Sequence, residues 1–171
     1  MEDAVSTTQF SLRVGGFSRE ELIGALDSAD VLLNAHASAL LGNPVFDQRA
    51  GQEVVIVERT VAELGLADGA VLTDIFAAAQ EDGLLLCPPD TGPYLRLARL
   101  SQAPASDSVM SPGRAPRGAI TVASPLLSDD DEYPKGFYLR VVDGQPWLRG
   151  YRCDDRHMWS PEDRFVFGVP S

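Results

Sequence analysis

Hydrophobic and polar positions alternate most cleanly near the C-terminus, in Gly136-Phe-Tyr-Leu-Arg-Val-Val and again in Gln145-Pro-Trp-Leu-Arg-Gly-Tyr151, with Asp143-Gly144 between the two runs. A period of two is that of an extended strand, whose side chains point to opposite faces in turn. Asp-Gly suits the two-residue hairpin turn, in which both central residues take positive φ. The pattern therefore predicts a β-hairpin with Val142 opposite Gln145, followed by Val141 with Pro146, Arg140 with Trp147, Leu139 with Leu148, Tyr138 with Arg149 and Phe137 with Gly150. In that register Phe137, Leu139, Val141 and Leu148 share one face and belong to a core. Tyr138, Arg140, Trp147, Arg149 and Tyr151 share the other, a ladder of aromatic rings and guanidinium groups.

Upstream the periods change. Gln9 to Val14 alternates weakly and predicts a first strand, broken by Gly15-Gly16. Ser18 and Glu21 have the spacing of a capping box, which opens a helix whose apolar face is Leu22, Ile23 and Leu26. Val31, Leu32, Ala35, Ala39 and Leu40 continue at helical spacing from about Asp30 to Leu41, and Gly42-Asn43-Pro44 stops the run. The pattern does not separate one helix from two. Val54-Val-Ile-Val57 predicts a buried strand over 53–59, and Thr60 with Glu63 a second capping box. Val71 to Glu81 is an amphipathic helix ending at Gly83, and Leu84-Leu-Leu86 predicts a short buried strand halted by Pro88-Pro89. Tyr94 to Leu100 alternates and predicts a strand. Ser101 to Gly118 is rich in Pro, Ser and Gly and predicts a loop or linker, longer than the ~12–15 residues at which compact domains usually stop. Ala119 to Ala123 predicts a strand, Asp129-Asp-Asp-Glu132 a charged connection, and Arg164 to Phe167 a final strand. The order argues for a single α+β domain: a helical and mixed N-terminal part packed on an antiparallel sheet or partial β-barrel formed by the C-terminal third.

Charge adds an asymmetry. The 171 residues carry a formal net charge of −11, yet residues 135–171 hold 6 basic against 5 acidic side chains, so the acidity lies upstream of the hairpin. Phosphate backbones are neutralised by Lys and Arg, so direct nucleic-acid binding is not expected. The first residues have no basic segment followed by an apolar one, as a secretory signal would, and no apolar run is long enough for a membrane span. A cytoplasmic protein is the expectation. Cys87 and Cys153 are too few for a disulfide scaffold and are expected as free thiols.

The candidate chemistry is sparse. Cys87 ends an apolar run, but Pro88 and Pro89 offer no N–H for an oxyanion hole, so a buried structural cysteine is the better reading. Asp154 and Asp155 beside Cys153 oppose thiolate formation, with Arg152, Arg156 and His157 acting the other way. Cys153, Asp154, Asp155, His157, Glu162 and Asp163 include metal-ligand types without a metal-site spacing. His36 lies in an alanine-rich helical segment and reads as a partly exposed or hydrogen-bonded residue rather than a general base. There is no Gly-x-Ser-x-Gly elbow and no phosphate-binding loop. No catalytic residue, metal or cofactor is therefore assigned.

The ladder remains. Arg140 opposite Trp147 and Tyr138 opposite Arg149 suggest cation–π pairs worth about 0.5–1 kcal/mol each when exposed, enough for a structural role. The same composition is favoured at protein–protein hot spots. Asp154-Asp-Arg-His-Met-Trp159 is expected to fold over the ladder's edge and add Trp159.

Thr60-Val-Ala-Glu-Leu-Gly65, Gly83-Leu-Leu-Leu-Cys-Pro88 with Gly92-Pro-Tyr-Leu-Arg-Leu97, and Gly136-Phe-Tyr-Leu-Arg with Trp147-Leu-Arg-Gly-Tyr-Arg-Cys-Asp-Asp155 resemble a group of short bacterial proteins of unestablished function. The resemblance spans about residues 18–168. It implies a bacterial, cytoplasmic protein of one continuous domain and supplies no activity. Some such proteins are labelled helicase, but this chain lacks both nucleotide motifs and the length for two motor lobes. The leading expectation is a protein that holds a protein or peptide partner on the face of Tyr138, Arg140, Trp147, Arg149, Tyr151 and Trp159. The alternatives are a small hydrolase or transferase with a pocket near Cys153 and His157, close to the Cys87 to Tyr94 loop, and an acidic mimic of nucleic acid.

Overall fold

The structure is a computed structural model that describes residues 9–47, 50–99, 119–128, 130, 132–153 and 156–170. The predicted loop over 101–118 and residues Asp129, Asp131, Asp154 and Asp155 lie outside the described residues. The fold is α+β: four helices pack on a strongly curled, partly closed sheet of seven strands, in the order β1-β3-β9-β5-β6-β7-β2, and a second sheet pairs β4 with β8. The strands are β1 (Gln9–Val14), β2 (Leu32–Leu33), β3 (Gln52–Thr60), β4 (Ala70–Val71), β5 (Ile120–Val122), β6 (Gly136–Val142), β7 (Gln145–Tyr151), β8 (Met158–Trp159) and β9 (Arg164–Val169). The partial barrel is as expected, but β1, β2 and β3 come from the N-terminal part, and β9 with β5 and β7 with β2 run parallel.

The hairpin has the register read from its alternation, from Val142 opposite Gln145 to Phe137 opposite Gly150. Asp143 and Gly144 turn it at φ 52 and 79, the positive values that the two-residue loop demands. Hydrogen-bonded and non-hydrogen-bonded pairs alternate from the closing pair. That places Pro146, which has no N–H to give, at a position where none is needed.

Helix α1 (Arg19–Ser28) opens with the predicted capping box: the Glu21 N–H donates to Ser18 Oγ at 3.1 Å, and the Ser18 N–H donates to Glu21 Oε1 at 2.9 Å. Leu22 and Leu26 are buried, whereas Ile23 is turned to solvent. The helical run over Asp30 to Leu41 is corrected. Asp30 takes φ 60, the Asp30 N–H donates to the Asp27 carbonyl and the Val31 N–H to the Leu26 carbonyl, which is a Schellman ending. The chain then extends as β2, and Asn34 caps a separate helix, α2 (Ala35–Leu41).

Two further expectations fail. Leu84-Leu-Leu86 is not a buried strand: Leu85 is 49% exposed and forms one isolated bridge to Gly168. The alternating Tyr94 to Leu100 segment is mostly helix, α4 (Thr91–Ala98). Pro93 sits in its first turn, where a missing N–H is tolerated. Arg96, which supplied a polar step in the apparent alternation, is completely buried with Tyr94 and Leu95. A Cβ on Gly92 would lie 2.8 Å from Phe137, so a close approach of α4 to β6 fixes that glycine. Helix α3 (Leu72–Glu81) and the Thr60/Glu63 box are as predicted, with reciprocal bonds of 2.8 and 3.1 Å.

A hydrophobic core lies on each face of the sheet. Leu12, Val14, Ile56, Val122, Val166, Phe137, Leu139 and Leu148 face the residues of α1, α2 and α4, including Leu22, Leu26, Leu40, Leu41 and Leu95. Val57, Phe165 and Phe167 point the other way, toward Val61, Leu64, Leu72, Ile75, Ala79 and Trp159.

Candidate functional site

The hairpin's apolar face is core as expected: Phe137, Leu139, Val141 and Leu148 are all buried. The ladder face is more enclosed than an exposed platform. Tyr138, Trp147, Arg149 and Tyr151 are half-buried, and Arg140 is only 2% exposed. Burial of Arg140 follows from topology, because β6 lies between β5 and β7 and the curl of the sheet crowds the middle of its inner strands. A desolvated guanidinium is tolerated only with partners, and Arg140 has them.

The rings and cations pair differently from the cross-strand expectation. Arg149 stacks over Trp147, with Cζ 4.1 Å from the ring centroid. Trp147 and Arg149 are two apart on β7 and so share a face. The long arginine stem reaches along its own strand instead of crossing to Tyr138. The expected Arg140–Trp147 and Tyr138–Arg149 stacks do not form; these residues are neighbours only through the backbone register. The Nε of Arg149 is enclosed without a hydrogen-bond acceptor, and its guanidinium lies over the indole.

The strand bearing this pair is held on its outer edge. Leu32 and Leu33 pair with Trp147 and Leu148. Beyond them the side chain of Asn34 takes over as a one-residue strand, its Nδ2 donating to the Gly150 carbonyl at 3.1 Å and its Oδ1 accepting from the Gly150 N–H at 2.9 Å. At the other end Gln145 Nε2 donates to the Asp30 carbonyl. Trp147 and Arg149 therefore stand on a braced strand.

Trp159 joins Tyr151, but as core. It is 6% exposed, and its ring meets Tyr151, His157 and Phe165 edge-on at centroid distances of 5.5, 5.2 and 5.0 Å. Its partner residue on β8, Met158, faces solvent. Burial pushes the Tyr151 phenol far above its ordinary pKa, and the nearby Cys153 adds to the effect. Trp159 and the Tyr151 phenol belong to the packing beneath the ladder's end.

The thiols are separated. Cys87 is buried in the first core, its Sγ donating to the Val166 carbonyl at 3.6 Å; burial pushes its pKa up to about 12, with Thr91 opposing. Cys153 packs at the edge of the second core and is half-buried. His157 is engaged edge-on with Trp159. No metal-binding group of His, Cys, Asp and Glu occurs among the described residues.

Sequence reading missed two features. Asn34 looked like one step in a helix, and its spacing from Gly150 carries no local signal. Arg99, at the end of α4, borders a cavity of about 350 Å³ on the first-core face, with Phe10, Ile56, Val57, Glu58 and Val166. Comparison with known proteins finds no protein family, curated protein or solved structure that matches the chain.

Proposed function

We propose that the chain is a binding protein without catalytic chemistry, and that it holds a protein or peptide partner on the Trp147–Arg149 side of the hairpin. The observation that carries this reading is the stack of Arg149 over Trp147 at 4.1 Å, half-buried on a strand braced by β2 and Asn34. Trp and Arg are the residue types that most often dominate binding energy at interfaces. Here they are ordered before any partner arrives, which lowers the entropy that association must lose. Tyr138 lies opposite Arg149 and extends the same surface. Arg140, Tyr151 and Trp159 support it from below.

The chemistry of the rest of the chain agrees with a binding role. The Cys87 thiol is held protonated in a core, and Cys153 belongs to the other core. The stretch that holds the hairpin, residues 135–171, is near neutral, whereas residues 1–134 carry the net negative charge. No helix among the described residues is long and apolar enough to cross a membrane. A bacterial, cytoplasmic setting is part of the proposal and rests on the sequence resemblance.

Affinity capture from native cytosol, with wild-type protein and a Trp147→Ala/Arg149→Ala double variant, tests the proposal once both are shown to be folded by near-UV circular dichroism. A partner retained by the wild type and lost by the double variant is the expected result. Equal recovery by both proteins would sink it.

A further inference from the structure

On the opposite face of the sheet from the ladder, we propose that the cavity at the end of α4 binds a small monocarboxylate with an apolar body. Its floor is a patch of two cross-strand pairs, Phe10 with Ile56 and Val166 with Glu58, whose side chains share the first-core face. Its volume of about 350 Å³ is at the lower end of the range of small-molecule pockets. Phe10, Ile56 and Val166 suit an aromatic or branched aliphatic group.

The polar groups on the rim select the ligand's charge. Arg99 places its guanidinium 5.9 Å from the centre of the Phe10 ring, and among the described residues no carboxylate pairs with it. Directly behind, the fully buried Arg96 donates to the Arg99 carbonyl. Burial, with the charge of Arg99, lowers the Arg96 pKa to about 10. Among the described residues that line the cavity, the acid is Glu58, which is held by Arg164 at 3.1 Å. In a chain of net charge −11 the guanidinium of Arg99 thus stands, among the described residues, next to an apolar floor. A carboxylate matches the planar guanidinium fork through two parallel hydrogen bonds. A second carboxylate on the same molecule would meet the apolar side chains of Phe10, Ile56 and Val166 rather than another cation, so a monocarboxylate is preferred over a dicarboxylate.

Titration of the full chain with 4-phenylbutyrate, followed by backbone amide NMR shifts, tests the site directly. The expected result is saturable shifts at Phe10, Ile56, Arg99 and Val166, binding about tenfold weaker for the uncharged 4-phenylbutyramide, and a comparable loss for the carboxylate in Arg99→Gln. Glutarate is expected to bind more weakly than 4-phenylbutyrate. Absence of shifts at millimolar ligand, shifts clustered elsewhere, equal binding of acid and amide, or unchanged carboxylate binding by a folded Arg99→Gln would each overturn the proposal. If Arg99→Gln does not fold, the acid and amide compared on the wild type decide the matter. The Trp147→Ala/Arg149→Ala variant is expected to bind 4-phenylbutyrate as the wild type does, so this site and the ladder stand or fall separately.

Discussion

The side-chain amide of Asn34 hydrogen bonds both backbone groups of Gly150, 116 residues away in sequence, while its Oδ1 also accepts from the Ala37 N–H at 2.8 Å as the cap of α2. One side chain thus ends the sheet and begins a helix. The close approach is possible because Gly150 has no side chain: a Cβ there would lie 2.7 Å from the His36 carbonyl carbon and 2.9 Å from the Ala37 nitrogen.

Gly150→Ala is therefore expected to force α2 away from β7. Overpacking against backbone costs about 1–3 kcal/mol, so the urea midpoint should fall clearly. A midpoint equal to that of the wild type would mean that α2 sits more loosely on β7 than this geometry requires.

Asn34→Ala removes the cap and both bonds to Gly150, an expected loss of about 1–3 kcal/mol. Asn34→Asp retains acceptors for the Ala37 and Gly150 N–H groups but turns an oxygen toward the Gly150 carbonyl. Its stability should fall between those of the wild type and Asn34→Ala. Thermal unfolding of the three proteins checks the order.

Thiol labelling separates the two cysteines. Cys87, with its pKa pushed up to about 12 and no open path to solvent, should stay unreactive toward a disulfide reagent at pH 8, while half-buried Cys153 reacts. The native protein is expected to release one equivalent and the denatured protein two. Cys153→Ser should abolish the native reaction, and Cys87→Ser should leave it intact.

Asp90 gives a pH signature. Burial raises its carboxyl pKa above the ordinary 3.8, with the bond to its own backbone N–H opposing. Below the unfolded-state value both states are protonated and the group costs nothing. As pH rises through the raised folded value, the native state must carry a desolvated charge that the unfolded state carries in water. Asp90→Asn is therefore expected to raise the melting temperature at pH 7, with the difference from wild type shrinking toward zero as pH falls below the unfolded value. A difference independent of pH would rule out the burial penalty as its cause.

Two helix ends show what was legible and what was not. Both α1 and α3 finish in the same Schellman geometry, with Asp30 at φ 60 in one and Gly83 at φ 83 in the other. Gly83 announces its ending, because glycine enters the left-handed region freely. Asp30 does not: aspartate reaches that region less often, and the apolar run after it keeps helical spacing until β7 claims Leu32 and Leu33 as a strand. The segment after Pro93 misleads in the opposite sense, since its apparent alternation depends on Arg96 being exposed and Arg96 is buried.

The hairpin marks the boundary between the two kinds of information. Its existence, turn and pairing were determined by the sequence alone, because alternation and Asp143-Gly144 are local and the backbone allows them few solutions. The division of its residues into two faces followed from the same period. The environment of the second face was decided only by the tertiary structure. How far Arg140 is buried depends on β5 pairing along the other edge of β6 in a curled sheet, Trp159 is core because β4 pairs with β8, and the edge of β7 is closed by Asn34. Those are contacts between segments far apart in the chain, set by how the layers pack, and no pattern of neighbouring residues encodes them.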